Sequence, residues 1–355
     1  MKKERVENLK KRMLTGYETA KSTCLLWRGK IKKLKLKKIR TSILRKIKKL
    51  YRKLSDSWKL IFIGIPSFLF CYYVIGALIS ENIDVNSVDK KQNIALSESQ
   101  TIETMRALLK REVDEHIWAA NLPPVFPAYI LDNMPNFQIG VVQAIRDIVK
   151  VIKTFPLNDE AKRKSLNKAA RLLSYKPDIW ILSQKSAFSI APSSNSQYRK
   201  ARKELEKVNE NGYILSSTAD LSLILKNMAL NLQKMSAKNE ERVREFSSDY
   251  FDFKSDDIFY HNKGYAFGLW QITDALAVDF KAEILTAEAY GDWTLLVSNL
   301  QKAAKYEPAI VRNGNIQSAF APNHIMIQNY YLSMSRAQAE KIINMLEGKI
   351  DAGAN

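Results

Sequence analysis

Cysteine is nearly absent from this sequence of 355 residues. The two cysteines are Cys24 and Cys71, so the chain beyond Cys71 contains no thiol. A domain in that part folds without disulfide bonds and cannot bind a metal ion through cysteine ligands. It is long enough to bury a full hydrophobic core without such cross-links.

Histidine is scarce as well, and the familiar catalytic motifs are missing. The three histidines are His116, His261 and His324. The sequence contains no HExxH zinc helix, no Walker phosphate loop, no dinucleotide glycine fingerprint and no GxSxG nucleophile turn. We therefore expect neither a metal ion nor a cofactor, and an enzyme becomes the less favoured class.

Acidic residues are rare only at the amino-terminal end. Residues 1–59 contain 22 Lys and Arg against four acids. This basic tail carries +18 of the formal net charge of +19, so the rest of the chain is almost neutral. The high isoelectric point is thus a property of one segment and not of the whole protein.

An apolar run without a charged side chain follows the tail, from Leu60 to Ile79. As a helix rising ~1.5 Å per residue it covers ~30 Å, the thickness of a bilayer's hydrocarbon core. The run is longer than the core of a secretory signal peptide and begins far from the amino terminus, which predicts an uncleaved signal anchor. Because Lys and Arg beside a span stay in the cytoplasm, the tail should be inside and the carboxyl-terminal part outside.

Within the tail, residues 31–54 have the pattern of an amphipathic helix. Its apolar positions are Ile31, Leu34, Ile39, Ile43, Ile47, Leu50 and Leu54. Such a helix can lie on anionic lipid with its cations toward the headgroups. Nucleic-acid binding is a weaker alternative, because no zinc-finger or RNA-recognition motif accompanies the charge. Docking of a cytoplasmic partner helix is a third possibility.

Beyond the apolar run we predict an all-α fold, a multi-helix bundle outside the cytoplasm, because no stretch of alternating β-branched residues occurs. The predicted segments are a linker over 80–97, a helical domain over 98–347 and a flexible tail over 348–355. The predicted helices cover about 99–119, 137–155, 159–175, 197–209, 217–246, 258–288, 292–306 and 323–347, with a loop over 176–196. Pro135 should keep Met134 out of the helical region, so that Asn136 caps the helix beginning at Phe137.

The helix predicted over 217–246 has the most regular apolar pattern. Its apolar residues alternate between steps of four and three, at Leu221, Leu225, Met228, Leu232 and Met235. That spacing is typical of the seam of a long antiparallel helix pair.

Three blocks of the sequence resemble a bacterial family, domain of unknown function 2333. They are LDNMPNFQIGVVQAIRD at 131–147, DDIFYHNKGYAFGLW at 256–270 with AVDF at 277–280, and NG at 313–314 with NHIMIQNYYLSMSRA at 323–337. The matching motif positions are Asp132, Asn133, Pro135, Asn136, Gly140, Asp257, Tyr260, Gly264, Asp279, Asn313, Gly314, Asn323, His324 and Asn329. The resemblance implies a single-span protein of the bacterial inner membrane with a periplasmic domain. It implies no particular activity, because none is established for the family.

The chain also departs from that family's pattern. Family members commonly have an aromatic residue followed by Glu where this chain has Phe137 and Gln138, and the loop over 177–196 is longer here. The missing acid at position 138 weakens any catalytic site built on that motif.

One set of residues could still perform chemistry. Asp257 and His261 are one helical turn apart, and Asp132 can join them from the DNMPNF turn. An imidazole with two carboxylates can bind a metal ion or act as an acid–base pair. The structural alternative is that Asp256 or Asp257 caps its helix while His261 makes a local hydrogen bond.

His324 and the neighbouring asparagines have a similar double interpretation. Asn323 and His324 could bind a polar ligand, or Asn323 could cap the last helix after Pro322. Asn133 and Asn136 in the turn are better explained as partners of the backbone.

Two functions follow from these patterns. The first is a non-enzymatic membrane-anchored scaffold or interaction protein of the bacterial envelope, with a protein partner or a second copy of the chain bound to the periplasmic domain. The alternative is a periplasmic hydrolase or metal-dependent enzyme that uses Asp132, Asp257 and His261, with His324 as a further candidate.

Overall fold

The structure is a computed structural model. It describes residues 42, 45–46, 48–49, 58, 60–80, 83–86, 98–123, 125–127, 132–180, 191–210, 215, 217–247, 252–315 and 322–353. The chain divides into two compact units, residues 1–71 and residues 72–355.

The described residues form ten α-helices. These are α1 Ile65–Ser80, α2 Gln100–Lys110, α3 Asn133–Ile152, α4 Glu160–Leu173, α5 Ser194–Asn209, α6 Thr218–Phe246, α7 Phe253–Asp279, α8 Lys281–Thr286, α9 Tyr290–Lys305 and α10 His324–Gly353. Short π-helical segments at Leu60–Gly64 and Arg111–Glu115 and a 3₁₀ turn at Ala119–Asn121 complete them. Within these residues the only β-type pairing is an isolated bridge between Asn313 and Asn323, so the predicted all-α class is confirmed.

In the first unit, the described part of the basic tail is helical at Ser42, Arg45, Lys46, Lys48 and Lys49, all of them exposed. The seven apolar positions of the predicted amphipathic face lie outside the described residues. Binding of this face to lipid therefore stays a prediction.

The apolar run that follows is helical but unusual in its exposure. Leu60–Gly64 is a π-helix that leads directly into α1, and large side chains such as Phe68 and Phe70 are 69% exposed. Taken over the part of the chain that the structure describes, no helix has both the length and the apolarity needed to cross a membrane. The predicted span over Leu60–Ile79 stays a prediction.

The second unit is built around α7. This helix packs against α3 most extensively and also against α9 and α2, while α6 pairs with α10 and α4 with α5. The predicted seam of α6 is confirmed, because its five apolar residues are all buried in the core. Contacts of Ser222 with Glu347 and of Ser236 with Ser333 show that α6 and α10 run antiparallel.

The helix predicted over 99–119 ends earlier than expected. The α-helix stops at Lys110, a π-helical turn continues to Glu115, and His116 is extended. The buried amide of Gln138 donates to the carbonyls of Glu112 and Ile117 and accepts from the Ala119 N–H. These bonds satisfy backbone groups that a continuing helix would otherwise pair, so the chain turns here.

The helix predicted to begin at Phe137 begins four residues earlier. Asp132 is the N-cap residue of α3, and Pro135 lies in the first helical turn. The first N–H groups of a helix have no partner inside it, so a proline there removes no hydrogen bond. The prediction that Pro135 excludes Met134 from the helix, with Asn136 as the cap, was wrong.

The long helix predicted over 258–288 is shifted and divided. α7 begins at Phe253 after the N-cap residue Asp252, so neither Asp256 nor Asp257 is the cap. It ends at Asp279, whose carboxylate accepts hydrogen bonds from the Ser99 hydroxyl at 2.6 Å and from two N–H groups at the start of α2. Asp279 thus caps a distant helix where its own helix stops.

The predicted cap of the last helix is confirmed. The Asn323 side-chain oxygen accepts from the Met326 N–H at 3.0 Å, which satisfies one free donor of the first turn of α10.

Candidate functional site

The candidate site depends on an unusually close crossing of α3 and α7. A Cβ atom on Gly264 would lie 1.9 Å from the Phe137 carbonyl oxygen, and one on Gly140 would lie 2.2 Å from the His261 carbonyl oxygen. Only glycine permits such a backbone approach. Farther along, Gly268 faces Ala144, so the two helices run parallel and their N-terminal ends meet.

The meeting of these ends brings carboxylates together from distant parts of the sequence. Asp132 precedes α3, while Asp256 and Asp257 lie in the first turns of α7. The Asn136 amide donates to the Asp132 carbonyl at 2.9 Å and to Asp257 Oδ1 at 2.7 Å. The predicted proximity of Asp132 and Asp257 is therefore present, with Asn136 as the connecting side chain.

Crowding of negative charge changes the protonation of this cluster. Burial, together with the charges of Asp132 and Asp257, raises the pKa of Asp256 to about 6. Burial and the charge of Asp132 also raise the pKa of Asp257, while the hydrogen bond from Asn136 lowers it. Asp256 can thus exchange a proton near neutral pH.

His261 has a different set of partners. Its Nε2 atom lies 3.0 Å from Gln143 Oε1, and because an amide oxygen only accepts, Nε2 carries the proton. Burial, together with the charges of the nearby cations Lys238 and Arg146, lowers the pKa of His261 to about 4. The imidazole is neutral at physiological pH, and this hydrogen bond joins it to α3 through Gln143.

His324 holds a loop. The ring atom Nδ1 of His324 accepts from the Arg312 backbone N–H at 3.0 Å. The backbone N–H of His324 donates to the Arg312 carbonyl, also at 3.0 Å. Its ring also packs edge-on against Tyr306. These bonds fix the loop between α9 and α10, which is a structural role.

Several other positions of the family motif stabilise helix junctions. The Asn323 amide donates to Asn313 Oδ1 and to the Gly314 carbonyl, both at 2.7 Å. Asn313 in turn donates to the carboxylate of Asp252, which forms an ion pair with Arg242. One network therefore links the end of α6, the start of α7 and the loop before α10.

A second buried network joins three helices at one point. Asn262 of α7 donates to Asn239 of α6 at 2.9 Å, and Asn239 donates to Asn329 of α10 at 3.0 Å. All three side chains are buried. Of the three, only Asn329 belongs to the motif positions predicted from the sequence, because no motif marks an asparagine whose partners are 23 and 90 residues away.

Two further buried charged residues, Lys263 and Glu112, were not predicted from the sequence. Lys263 is buried and donates to the Tyr306 carbonyl and to Glu307, and burial lowers its pKa. Glu112 pairs with Arg111 at 3.0 Å and lies 3.7 Å from His116. Each lies in an otherwise apolar helical pattern, which gave no signal of a partner.

The side chains of the candidate site have partners within the protein. Across the described residues, no three His, Cys, Asp or Glu side chains are placed to hold a metal ion. The Asp257 carboxylate accepts a hydrogen bond from Asn136, His261 bonds Gln143, and His324 bonds the backbone of Arg312.

A protein-family profile matches most of the chain. The profile of a family described as an uncharacterised protein conserved in bacteria, DUF2333, matches residues 78–220 and 211–348. Neither curated proteins nor solved structures gave a match to the chain.

Proposed function

The chain belongs to the bacterial family DUF2333, and from this premise we propose that it is a membrane-anchored scaffold or interaction protein of the cell envelope. The basic tail would lie in the cytoplasm, residues 60–79 would cross the inner membrane, and the helical domain would lie in the periplasm. The observation that carries the proposal is the contrast in exposure between the apolar run and the domain's buried core.

The apolar run is suited to a lipid environment. Eleven described residues from Leu60 to Ile75 leave large apolar side chains at least 37% exposed. A water-soluble protein gains little from such a surface, whereas lipid tails cover it without cost. α1 alone has 16 residues, but the π-helical segment before it extends the helical run back to Leu60.

The charge distribution supports the orientation. Lys and Arg accumulate on the amino-terminal side of the run, where the positive-inside rule places the cytoplasm. Residues 31–54 would bind anionic lipid there through their cations. Nucleic acid is not needed to explain this charge.

The domain's polar motifs support a scaffold. Asp279, Asn313, Asn323, His324 and Asn329 all cap helices, hold a loop or link helices. Residues with these duties preserve a rigid surface for a partner protein or a second copy of the chain.

Reporter fusions test the orientation. Alkaline phosphatase fused after residue 355 should be active, because the enzyme folds only outside the cytoplasm, and the same enzyme fused after residue 59 should be inactive. Green fluorescent protein at the two positions should give the opposite pattern. An inactive phosphatase and a fluorescent protein at residue 355 would place the domain in the cytoplasm and refute the proposal.

Crosslinking tests the scaffold role. Photoreactive residues placed at exposed positions such as Tyr330 and Ile310 should yield discrete adducts in cells. A set of such positions covering the domain that gives no adduct at native expression would contradict it.

A hydrolase or metal-dependent enzyme is the second candidate, favoured by the raised pKa values of Asp256 and Asp257. Zinc, manganese or magnesium should then raise the melting temperature of the purified protein, and Asp257→Ala should abolish that shift. An unchanged melting temperature with all three metals removes the metal-dependent form of this candidate.

A further inference from the structure

A short turn of the domain lies directly against the second half of α1. The Tyr72 hydroxyl donates to the Val125 carbonyl at 3.1 Å. A Cβ on Gly76 would lie 2.4 Å from Pro127 Cγ, so the proline ring rests on the backbone of α1 at a position without a side chain. Two independent contacts, one turn apart on α1, therefore fix this turn beside the helix.

The turn presents apolar side chains outward. The Phe126 N–H donates to the Pro123 carbonyl at 3.0 Å, which closes the turn. Val125 is 66% exposed and Phe126 43% exposed, and Ile75 of α1 is exposed as well. In the sequence, residues 122–131 contain no charged side chain.

The backbone of the turn is suited to a layer with little water. Non-helical backbone is costly in lipid when its N–H and C=O groups lack partners. Pro123, Pro124 and Pro127 have no N–H to satisfy. The N–H of Phe126 and the carbonyl of Val125 are already bonded within the protein.

We propose that the turn at Val125–Pro127 inserts into the periplasmic leaflet of the same bilayer, beside α1. This inference rests on the proposed function, namely that residues 60–79 span the membrane. Tyr72 lies seven residues before Ile79, so its backbone would be ~10 Å inside the end of the span. The turn bonded to it would reach the lipid and hold the domain at a fixed orientation on the membrane surface.

Depth-dependent fluorescence quenching tests the proposal on the full chain. The protein is reconstituted in vesicles of phosphatidylethanolamine and phosphatidylglycerol, with Cys24→Ser and Cys71→Ser to remove the native thiols. Phe126→Cys is labelled with an environment-sensitive dye and exposed to lipids with a spin label on the acyl chain. We expect a several-fold drop in fluorescence and no effect of aqueous iodide.

Two matched positions make the outcomes separable. Ile75→Cys, on α1, reports whether the span is in lipid, and Ile310→Cys, on an exposed loop of the domain, should respond only to iodide. Lipid quenching at Ile75→Cys without quenching at Phe126→Cys overturns the inference and leaves the proposed function standing. Absence of lipid quenching at both positions refutes the proposed function itself.

A third result would also overturn the inference. If the dye at Phe126→Cys is protected from iodide but not quenched by lipid, the turn is covered by protein. Phe126→Ser provides a second measurement, because it should leave the thermal melt of the domain unchanged while a dye at the exposed neighbouring position Val125→Cys moves to a shallower depth. An unchanged depth at that position argues against insertion.

Discussion

The two sides of helix α7 are held by opposite means. Toward α3, Gly140 and Gly264 bring backbones into contact, with no side chain between the helices at that point. Toward α6 and α10, Asn262 and Asn239 extend a chain of side-chain hydrogen bonds to Asn329. The contact with α3 requires that two residues have no side chain, and the contact with α6 and α10 requires that every buried polar group has a hydrogen-bond partner. Different substitutions should therefore destabilise the two sides.

Adding one methyl group at the glycine crossing should have the largest effect. Gly264→Ala places a Cβ against the Phe137 carbonyl, a backbone atom that cannot rotate away. Helix propensity favours alanine by about 1 kcal/mol, but overpacking against backbone should cost about 3 kcal/mol or more. Chemical denaturation followed by circular dichroism measures the loss.

Gly291→Ala is the matched control for that substitution. Gly291 lies in α9, and nothing lies within 4 Å of an added Cβ. We expect this variant to be unchanged or stabilised by up to about 1 kcal/mol. Equal stability of Gly264→Ala and Gly291→Ala would show that the close crossing does not exist.

Breaking the asparagine chain should have the next largest effect. Asn239→Leu leaves the Asn262 amide and the Asn329 oxygen without their partner, at a cost of about 2 kcal/mol. Replacing all three asparagines by leucine should cost less than the single change, because no buried polar group then lacks a partner. Denaturation midpoints of the two variants test this order.

Asn227→Ala provides the comparison on the same helix. Asn227 is half-buried, and its side-chain oxygen accepts from Asn231 one turn along α6, so its loss should stay within about 0.5 kcal/mol. A triple variant less stable than Asn239→Leu would mean that the network contributes net stability beyond pairing.

The carboxylates at the end of the glycine crossing should give the smallest effect, and one that depends on pH. The pKa of Asp256 rises from 3.8 to about 6 on folding, so the folded state binds its proton more tightly. Stability from this group is present at pH 4, is lost as the pH rises through 6 and stays lost above. A pKa change of this size corresponds to about 3 kcal/mol, which solvent around a half-buried carboxylate reduces to about 1 kcal/mol.

Asp256→Asn removes the cost of holding a charged carboxylate at this position above pH 6. The variant should be more stable than the natural protein at pH 8 by about 1 kcal/mol and equally stable at pH 4. Thermal melts at the two pH values measure the difference. An equal gain at both pH values would mean that folding does not raise the pKa of Asp256.

Local sequence signals predicted much of this fold. The four-three spacing in α6 identified a buried seam, and Asn323 after a proline identified the cap of α10. These signals succeed because a helix's periodicity and its first-turn hydrogen bonds involve residues only three or four positions apart.

Predictions failed where a distant residue competes with the local preference. Gln138 bonds backbone groups where the helix was expected to continue to 119. Asp279, the last residue of α7, accepts hydrogen bonds from the start of α2 where the predicted helix would have continued. In the candidate site, the predicted pair Asp132 and Asp257 does lie together, but His261 bonds Gln143. No spacing rule reports a partner that is 118 residues away.

Sequence alone thus determined what depends on near neighbours and on composition: the helical class, the apolar run, the basic tail and the family. Tertiary structure alone decided where helices end, which acids crowd together and which side chains pair in the core. The reason is physical. Helix formation is governed by contacts within a turn, whereas a hydrogen bond or a glycine crossing between helices exists only after the chain has brought distant residues within a few ångströms.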